Sequence, residues 1–184
     1  MNVVVIPAKG NSNRLPNKNM LLINGRPMID YSIADAKASQ HVSAVYVSTD
    51  SNEIESHAYT MGVNVIRRPR NLGGETPIID VYRHALSSID DPLIDVVVGL
   101  QPDHPDRNVS ISEALAIFDQ ERADHLISKD ANGTKNGAHY ILRRSFLERG
   151  VSRKTVSIVD DCTNIHYKED LERAAARLAA RMGS

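Results

Sequence analysis

Apolar residues fall into short dense runs, and the stretches between them hold much of the Gly, Pro, Asn and Asp. Residues 2–8 form an apolar, β-branched run with no polar face, the pattern of a strand buried on both sides. Residues 44–48, closed by Thr49-Asp50, repeat that pattern, as do the shorter 63–67 and the most apolar run of the chain, 93–100, which reads as a central strand. Residues 28–39 carry Ile29, Ile33, Ala36 and Ala38 at helical spacing. Residues 52–61 read as a second helix, with Ser51 as N-cap and Gly62 as terminator. Further helices are expected from Pro77 or Ile78 to Ser87, over 110–122, over 144–149 and over 167–182, with strands at 124–129 and 138–143. Residues 20–23 make a short extended piece before a turn at Asn24-Gly25-Arg26.

Alternating strands and helices predict an α/β fold: a Rossmann-like three-layer sandwich around a mainly parallel sheet. Neither a repeat nor a long linker interrupts the pattern, so residues 1–184 read as a single domain. Composition agrees, with 41% hydrophobic and 24% charged residues. The formal net charge of −1 argues against a general nucleic-acid binder, which would carry a basic excess. One cysteine, Cys162, excludes an intramolecular disulfide. No run approaches the ~20 apolar residues of a membrane span, and no charged n-region opens the chain, so a cytoplasmic setting is expected.

The chemistry concentrates after the first strand. Ligands of open α/β sheets sit outside the carboxyl ends of the strands, at a switch in strand order. The loop 7–19 holds small residues, among them Gly10, Asn11 and Ser12, whose backbone amides can approach an anion. It also holds three cations, Lys9, Arg14 and Lys18. A triphosphate calls for this mixture of amide donors and fixed positive charge. The loop matches neither the P-loop nor the dinucleotide fingerprint, which removes the common oxidoreductase reading. Just past the central strand, Asp103 is the best placed carboxylate for a hard divalent cation, with His104 and Asp106 as weaker candidates.

The run Ile6-Pro7-Ala8-Lys9-Gly10-Asn11-Ser12, followed by Leu15-Pro16-Asn17-Lys18-Asn19, resembles the signature of the acylneuraminate and 3-deoxy-manno-octulosonate cytidylyltransferases. The likeness continues in order through Asn24-Gly25-Arg26-Pro27, Val47-Ser48-Thr49-Asp50, Arg68-Pro69 with Leu72 and Thr76, Leu100-Gln101-Pro102 with Pro105, Asn136-Gly137-Ala138 and Lys168-Glu169-Asp170-Leu171-Glu172. It covers nearly the whole chain, and the motifs are specific together although each is weak alone.

The resemblance implies a nucleotide-diphospho-sugar transferase-like fold and an Mg²⁺-dependent transfer of CMP from CTP to a small acidic acceptor, such as a nonulosonate, with release of pyrophosphate. It implies that Lys9 and Lys18 bind the triphosphate and that Ala8, Ser12 and Asn19 cradle the nucleotide. Arg14 replaces a family lysine that falls at Asn13, and Arg68 matches an arginine that contacts base or ribose. Asp103 matches the metal aspartate of the octulosonate branch. The second metal position falls at Asn164-Ile165-His166, leaving His166 or the nearby Asp161 as candidates. Gln101 and Asn136 match positions near the acceptor. Lys18, Arg14 and Asp103 are thus the expected catalytic set. The family's long segment after the strand 124–129 is here the short turn 130–137, so a homodimer built on that arm is not expected in the usual form. Two alternatives stay open: a smaller acceptor, such as a sugar phosphate or phosphonate, and a homologue with weakened catalysis.

Overall fold

The computed structural model describes residues 1–73 and 76–182. Gly74 and Glu75 of the expected basic loop, and the terminal Gly183-Ser184, lie outside the described residues. In chain order the strands are β1 (Asn2–Pro7), β2 (Leu22–Ile23), β3 (Arg26–Pro27), β4 (Ala44–Thr49), β5 (Asn64–Arg67), β6 (Val96–Gly99), β7 (His125–Lys129), β8 (Lys135–Arg143) and β9 (Thr155–Val159). The helices are α1 (Met28–Ala38), α2 (Asn52–Thr60), α3 (Ile78–Ile89), α4 (Ile111–Gln120), α5 (Arg144–Arg149) and α6 (Lys168–Met182).

Seven strands form one sheet in the order β5-β4-β1-β6-β8-β7-β9, and β2 and β3 form a separate small hairpin. β1 runs parallel to β4 and to β6, and β4 is parallel to β5. β8 is antiparallel to both neighbours, whereas β7 and β9 are parallel. The mainly parallel expectation therefore holds for the first half, and the antiparallel β8 breaks it in the second.

Successive β1 residues serve opposite faces: Val4 and Ile6 join Ile29, Ile33, Ile54 and Phe118 of α1, α2 and α4, while Val3 and Val5 join Tyr82, Leu86 and Phe146 of α3 and α5. This explains why β1 reads as a continuous apolar run. Helix ends follow local chemistry. Ser51 Oγ accepts from the Ile54 amide at 3.4 Å, as expected for an N-cap, and Ser110 with Glu113 completes a capping box on α4.

Two strand starts and one whole strand depart from expectation. The central strand β6 begins at Val96, because Leu93 is exposed and the chain there instead accepts the N-terminal ammonium at 2.7 Å. β8 starts at Lys135 rather than Ala138, because the turn before it is tight: Asp130 Oδ1 accepts from the Asn132 and Thr134 amides at 2.9 and 2.8 Å. β9 escaped the pattern because it is an edge strand: Ile158 is buried, but Thr155, Ser157 and Val159 are exposed.

The topology fixes where a ligand binds. From β1 the chain moves to β4 and β5 on one side, then returns to β6 on the other. The loops leaving β1 and β6 thus diverge at a switch point and leave a crevice between them. Helix α6 packs beside the β2–β3 hairpin, setting Ala174 and Leu171 against Ile23, Met28 and Ile165.

Candidate active site

A cavity of about 380 Å³ opens at that switch point. From the β1 loop it is lined by Lys9, Ser12, Arg14, Lys18 and Asn19, from the β6 loop by Gln101, Pro102 and Asp103, and from the segment before α6 by His166. Arg68, Leu72, Thr76, Ile78 and Val81 form the remaining wall.

The β1 loop is held by its own backbone. The Ala8 amide donates to Ser48 O at 2.9 Å, and the Gly10 amide donates to Asp50 Oδ1 at 2.7 Å. A Cβ on Gly10 would stand 2.8 Å from Ser51 Cβ, so only glycine permits this approach. Asn19 Nδ2 donates to Lys9 O at 2.9 Å and ties the two ends of the loop together.

Lys18 Nζ lies 2.6 Å from Asp103 Oδ2 and 3.2 Å from Ile165 O, so it bridges the β1 loop, the β6 loop and the approach to α6. Burial alone would raise the Asp103 carboxyl, but contacts with His104 and Lys18 outweigh it and hold the group well below the usual carboxylate range. His104 Nδ1 stands 3.1 Å from Asp103 Oδ1 without hydrogen-bond alignment, leaving Oδ1 buried and unbonded among the described residues. The Lys18 bond is therefore the firmer of the two contacts. Arg14 donates to His166 Nδ1 at 3.1 Å and packs over the Tyr167 ring. Burial, with the positive charge of Lys18, lowers the His166 pKa and favours the neutral ring. Arg68 is buried and donates to Ser48 O at 2.6 Å. Desolvation lowers its pKa, yet a guanidinium stays charged.

Of the expected residues, Lys9, Ser12, Arg14, Lys18, Asn19, Arg68, Gln101, Asp103 and His166 therefore meet at one cavity. Four do not. Ala8 is fully buried beneath the loop, Gly10 has given its amide to Asp50, and Asn11 points into solvent. Asn136 is consumed structurally: Oδ1 accepts from Ser128 Oγ at 2.6 Å and Nδ2 donates to Asp160 O at 2.7 Å. Its neighbour Gly137 packs directly against the Gln101 side chain, since a Cβ there would stand 2.3 Å from Gln101 Oε1. Asp161 offers its carbonyl to Asn108 Nδ2 at 3.1 Å and does not line the cavity. Asp160 is also committed, accepting from the Asn108 and Val109 amides and His139; these bonds outweigh burial and bring its pKa down to about 2.

Sequence reasoning passed over Ile78 and Val81, the apolar wall, and Arg107, which is buried behind the β6 loop. The helical spacing of Ile78 and Val81 was legible, but not which face met a ligand. Arg107 sits in a polar stretch where nothing marks a charge as buried.

A polyanion-sized, cation-lined cavity at the switch point of this sheet defines a class: open-sheet α/β proteins that take a ligand outside the carboxyl ends of their strands. The sequence profile of the cytidylyltransferase family matches residues 3–172, and the chain belongs to that family. It is 36% identical over 112 residues to 3-deoxy-manno-octulosonate cytidylyltransferase 2 of Hydrogenovibrio crunogenus, a match covering 61% of this chain and 44% of that protein. It is 33% identical over 122 residues to 8-amino-3,8-dideoxy-manno-octulosonate cytidylyltransferase of Shewanella loihica, covering 65% of this chain and 49% of that one. The chain thus spans about half the length of the curated relatives it matches. Among solved structures it superposes on CMP:2-keto-3-deoxy-manno-octonic acid synthetase complexed with CTP, with a TM-score of 0.79 and 19% identity over 98% of this chain and 99% of that one. Among the described residues no helix is long and apolar enough to cross a membrane.

Proposed function

We propose that the protein transfers CMP from CTP to a small acidic acceptor of the 2-keto-3-deoxy sugar class and releases pyrophosphate. The observation that carries this reading is the convergence of Lys9, Arg14, Lys18, Arg68 and Asp103 on one cavity at the switch point. An acceptor oxygen attacks the α-phosphorus, a P–O bond forms, and the bond to the β-phosphate breaks with its electron pair leaving on pyrophosphate. Lys9, Arg14 and Lys18 balance the charge of the triphosphate and of the leaving group. Leu72, Ile78 and Val81 form an apolar wall suited to the nucleoside, with Arg68 beside it. Gln101 faces the acceptor.

The residues present fit one divalent cation. Asp103 lines the cavity, and its Oδ1 is a buried carboxylate oxygen that accepts no hydrogen bond among the described residues, with His104 Nδ1 standing 3.1 Å away. No cluster of three or more His, Cys, Asp or Glu residues able to hold a metal occurs among the described residues. Mg²⁺ keeps its waters and binds through one or two carboxylates plus substrate phosphates. Asp103 would hold the ion, with the neutral His166 beside it. When bound, Mg²⁺ supplies positive charge to the phosphate oxygens.

The short β7–β8 turn favours a second reading of the acceptor, as a smaller sugar phosphate or phosphonate. Both readings treat residues 1–184 as one cytoplasmic catalytic domain, a homodimer only through some surface other than the usual arm, with no role for nucleic acid or membrane. The test is pyrophosphate release from each nucleoside triphosphate across acid sugars, sugar phosphates and phosphonates, with and without Mg²⁺. Turnover is expected with CTP and Mg²⁺; tight nucleotide binding without turnover on any acceptor would sink the catalytic reading.

A further inference from the structure

Behind the β6 loop, on the side away from the nucleotide cavity, the Arg107 side chain is 2% exposed. Its nitrogens reach three different elements. Nε donates to Ala138 O of β8 at 2.9 Å, Nη1 donates to Ser32 Oγ of α1 at 3.0 Å, and Nη2 donates to the carbonyl of Gln101. That same carbonyl accepts the His104 amide at 3.3 Å and so closes the turn that carries Gln101 and Asp103 into the cavity. The charge is balanced by Asp35 alone among the described carboxylates within ion-pair distance, at 3.5 Å, and the Asp35 side chain is 43% exposed. Burying a guanidinium is costly, and an apolar side chain of similar size fills space as well. Three fixed donors on one rigid plane do what an apolar filler cannot, which is to set the position of a turn against two other elements.

We propose that Arg107 is a positioning residue for nucleotidyl transfer, acting through the Gln101 carbonyl to place Gln101 against the acceptor and Asp103 against the triphosphate. This rests on the catalytic reading of the cavity given above. A displacement of about 1 Å at a reacting group costs on the order of 10²-fold in rate. Arg107 does not line the nucleotide cavity, so CTP affinity is expected to be spared.

A second cavity of about 230 Å³, lined by Asp35, Ser39, Ser112, His139 and Arg107 itself, opens beside Arg107, so that truncating this side chain would extend it toward the Gln101 carbonyl. It supplies a rescue experiment. Arg107→Ala is expected to lower kcat about 100-fold, to keep the Kd for CTP within about threefold, and to regain part of the lost rate in millimolar guanidinium. Arg107→Lys is expected to stay impaired, because an ammonium cannot reach three divergent acceptors. Asp35→Asn, which removes the carboxylate from an exposed position and leaves the three Arg107 hydrogen bonds in place, should show the same kcat-selective loss at smaller size. Amide NMR resonances of Gln101, Asp103 and His104 should shift in Arg107→Ala and return with guanidinium.

Parental kcat in Arg107→Ala overturns the proposal, as does a loss of CTP affinity matching the loss of rate. If Arg107→Ala does not fold, parental kcat in both Arg107→Lys and Asp35→Asn overturns it equally. If the parent chain itself never turns over, the catalytic reading fails, and unshifted turn resonances then overturn the positioning claim independently.

Discussion

Replacing Asp103 with Asn separates binding from chemistry. In the free protein Asp103 Oδ2 holds Lys18 Nζ at 2.6 Å, with the two side chains only 19% and 15% exposed. Asparagine keeps the shape and removes the charge. A hydrogen bond between charged groups contributes about 1.5–3 kcal/mol, and Lys18 retains its bond to Ile165 O at 3.2 Å, so the stability loss belongs at the lower half of that range. The pH dependence has a definite sign. The folded carboxyl is depressed below its unfolded value near 3.9, so its stabilisation is present above about pH 4 and is lost as pH falls toward the folded value. Asp103→Asn therefore destabilises the protein at pH 7 by about 1.5–2 kcal/mol and flattens the acid limb of its stability curve. Lys18, released from its partner, remains free for the triphosphate, so CTP binding without metal should hold or tighten. Turnover should fall by more than 100-fold, because one carboxylate serves the divalent cation. Urea unfolding between pH 3 and 7, calorimetric CTP binding and pyrophosphate release read the three effects separately. Turnover near the parental rate, or CTP binding lost with it, would refute the assignment of Asp103.

Gly10→Ala forces its new Cβ to within 2.8 Å of Ser51 Cβ, so the β1 loop shifts and the CTP Kd should rise about tenfold or more; an unchanged Kd means that the loop does not shape the site. Gly137→Ala places a side chain at φ +85°, 2.3 Å from Gln101 Oε1. It should raise the acceptor KM while sparing CTP affinity, and equal effects on both substrates would move Gln101 away from the acceptor. Burial lowers the pKa of His139 despite its contact with Asp160. The unfolded chain then binds more protons as pH drops below about 6.5, so stability falls toward pH 5. His139→Gln should make that slope shallower in urea titrations, and an identical slope contradicts the buried neutral ring.

β1 and the β6 run were legible because strands buried on both faces leave no polar positions, as Val3 to Ile6 show. The same rule misjudged Leu93, since an apolar run does not mark where burial stops. β9 was invisible because three of its five residues face outward without a helix above them. The cations that line the cavity were legible by loop, because Lys9, Arg14 and Lys18 follow β1, where an open α/β sheet leaves its crevice. Gly10 and Asn136 do not line the cavity, for a single reason. Amides can serve a ligand or a neighbouring strand equally well, and here Asp50 and Asp160 claimed them. Arg107 went unseen because its three acceptors, Ser32, Gln101 and Ala138, are far apart in sequence and meet only in the folded chain.

The central claim is tested most directly by ³¹P NMR of the protein mixed with CTP, Mg²⁺ and a 2-keto-3-deoxy acid sugar. The account predicts loss of the triphosphate signals and the appearance of pyrophosphate together with the phosphodiester of a CMP-sugar. Unchanged CTP, or CTP cleaved to free CMP or CDP with no sugar adduct, would contradict it.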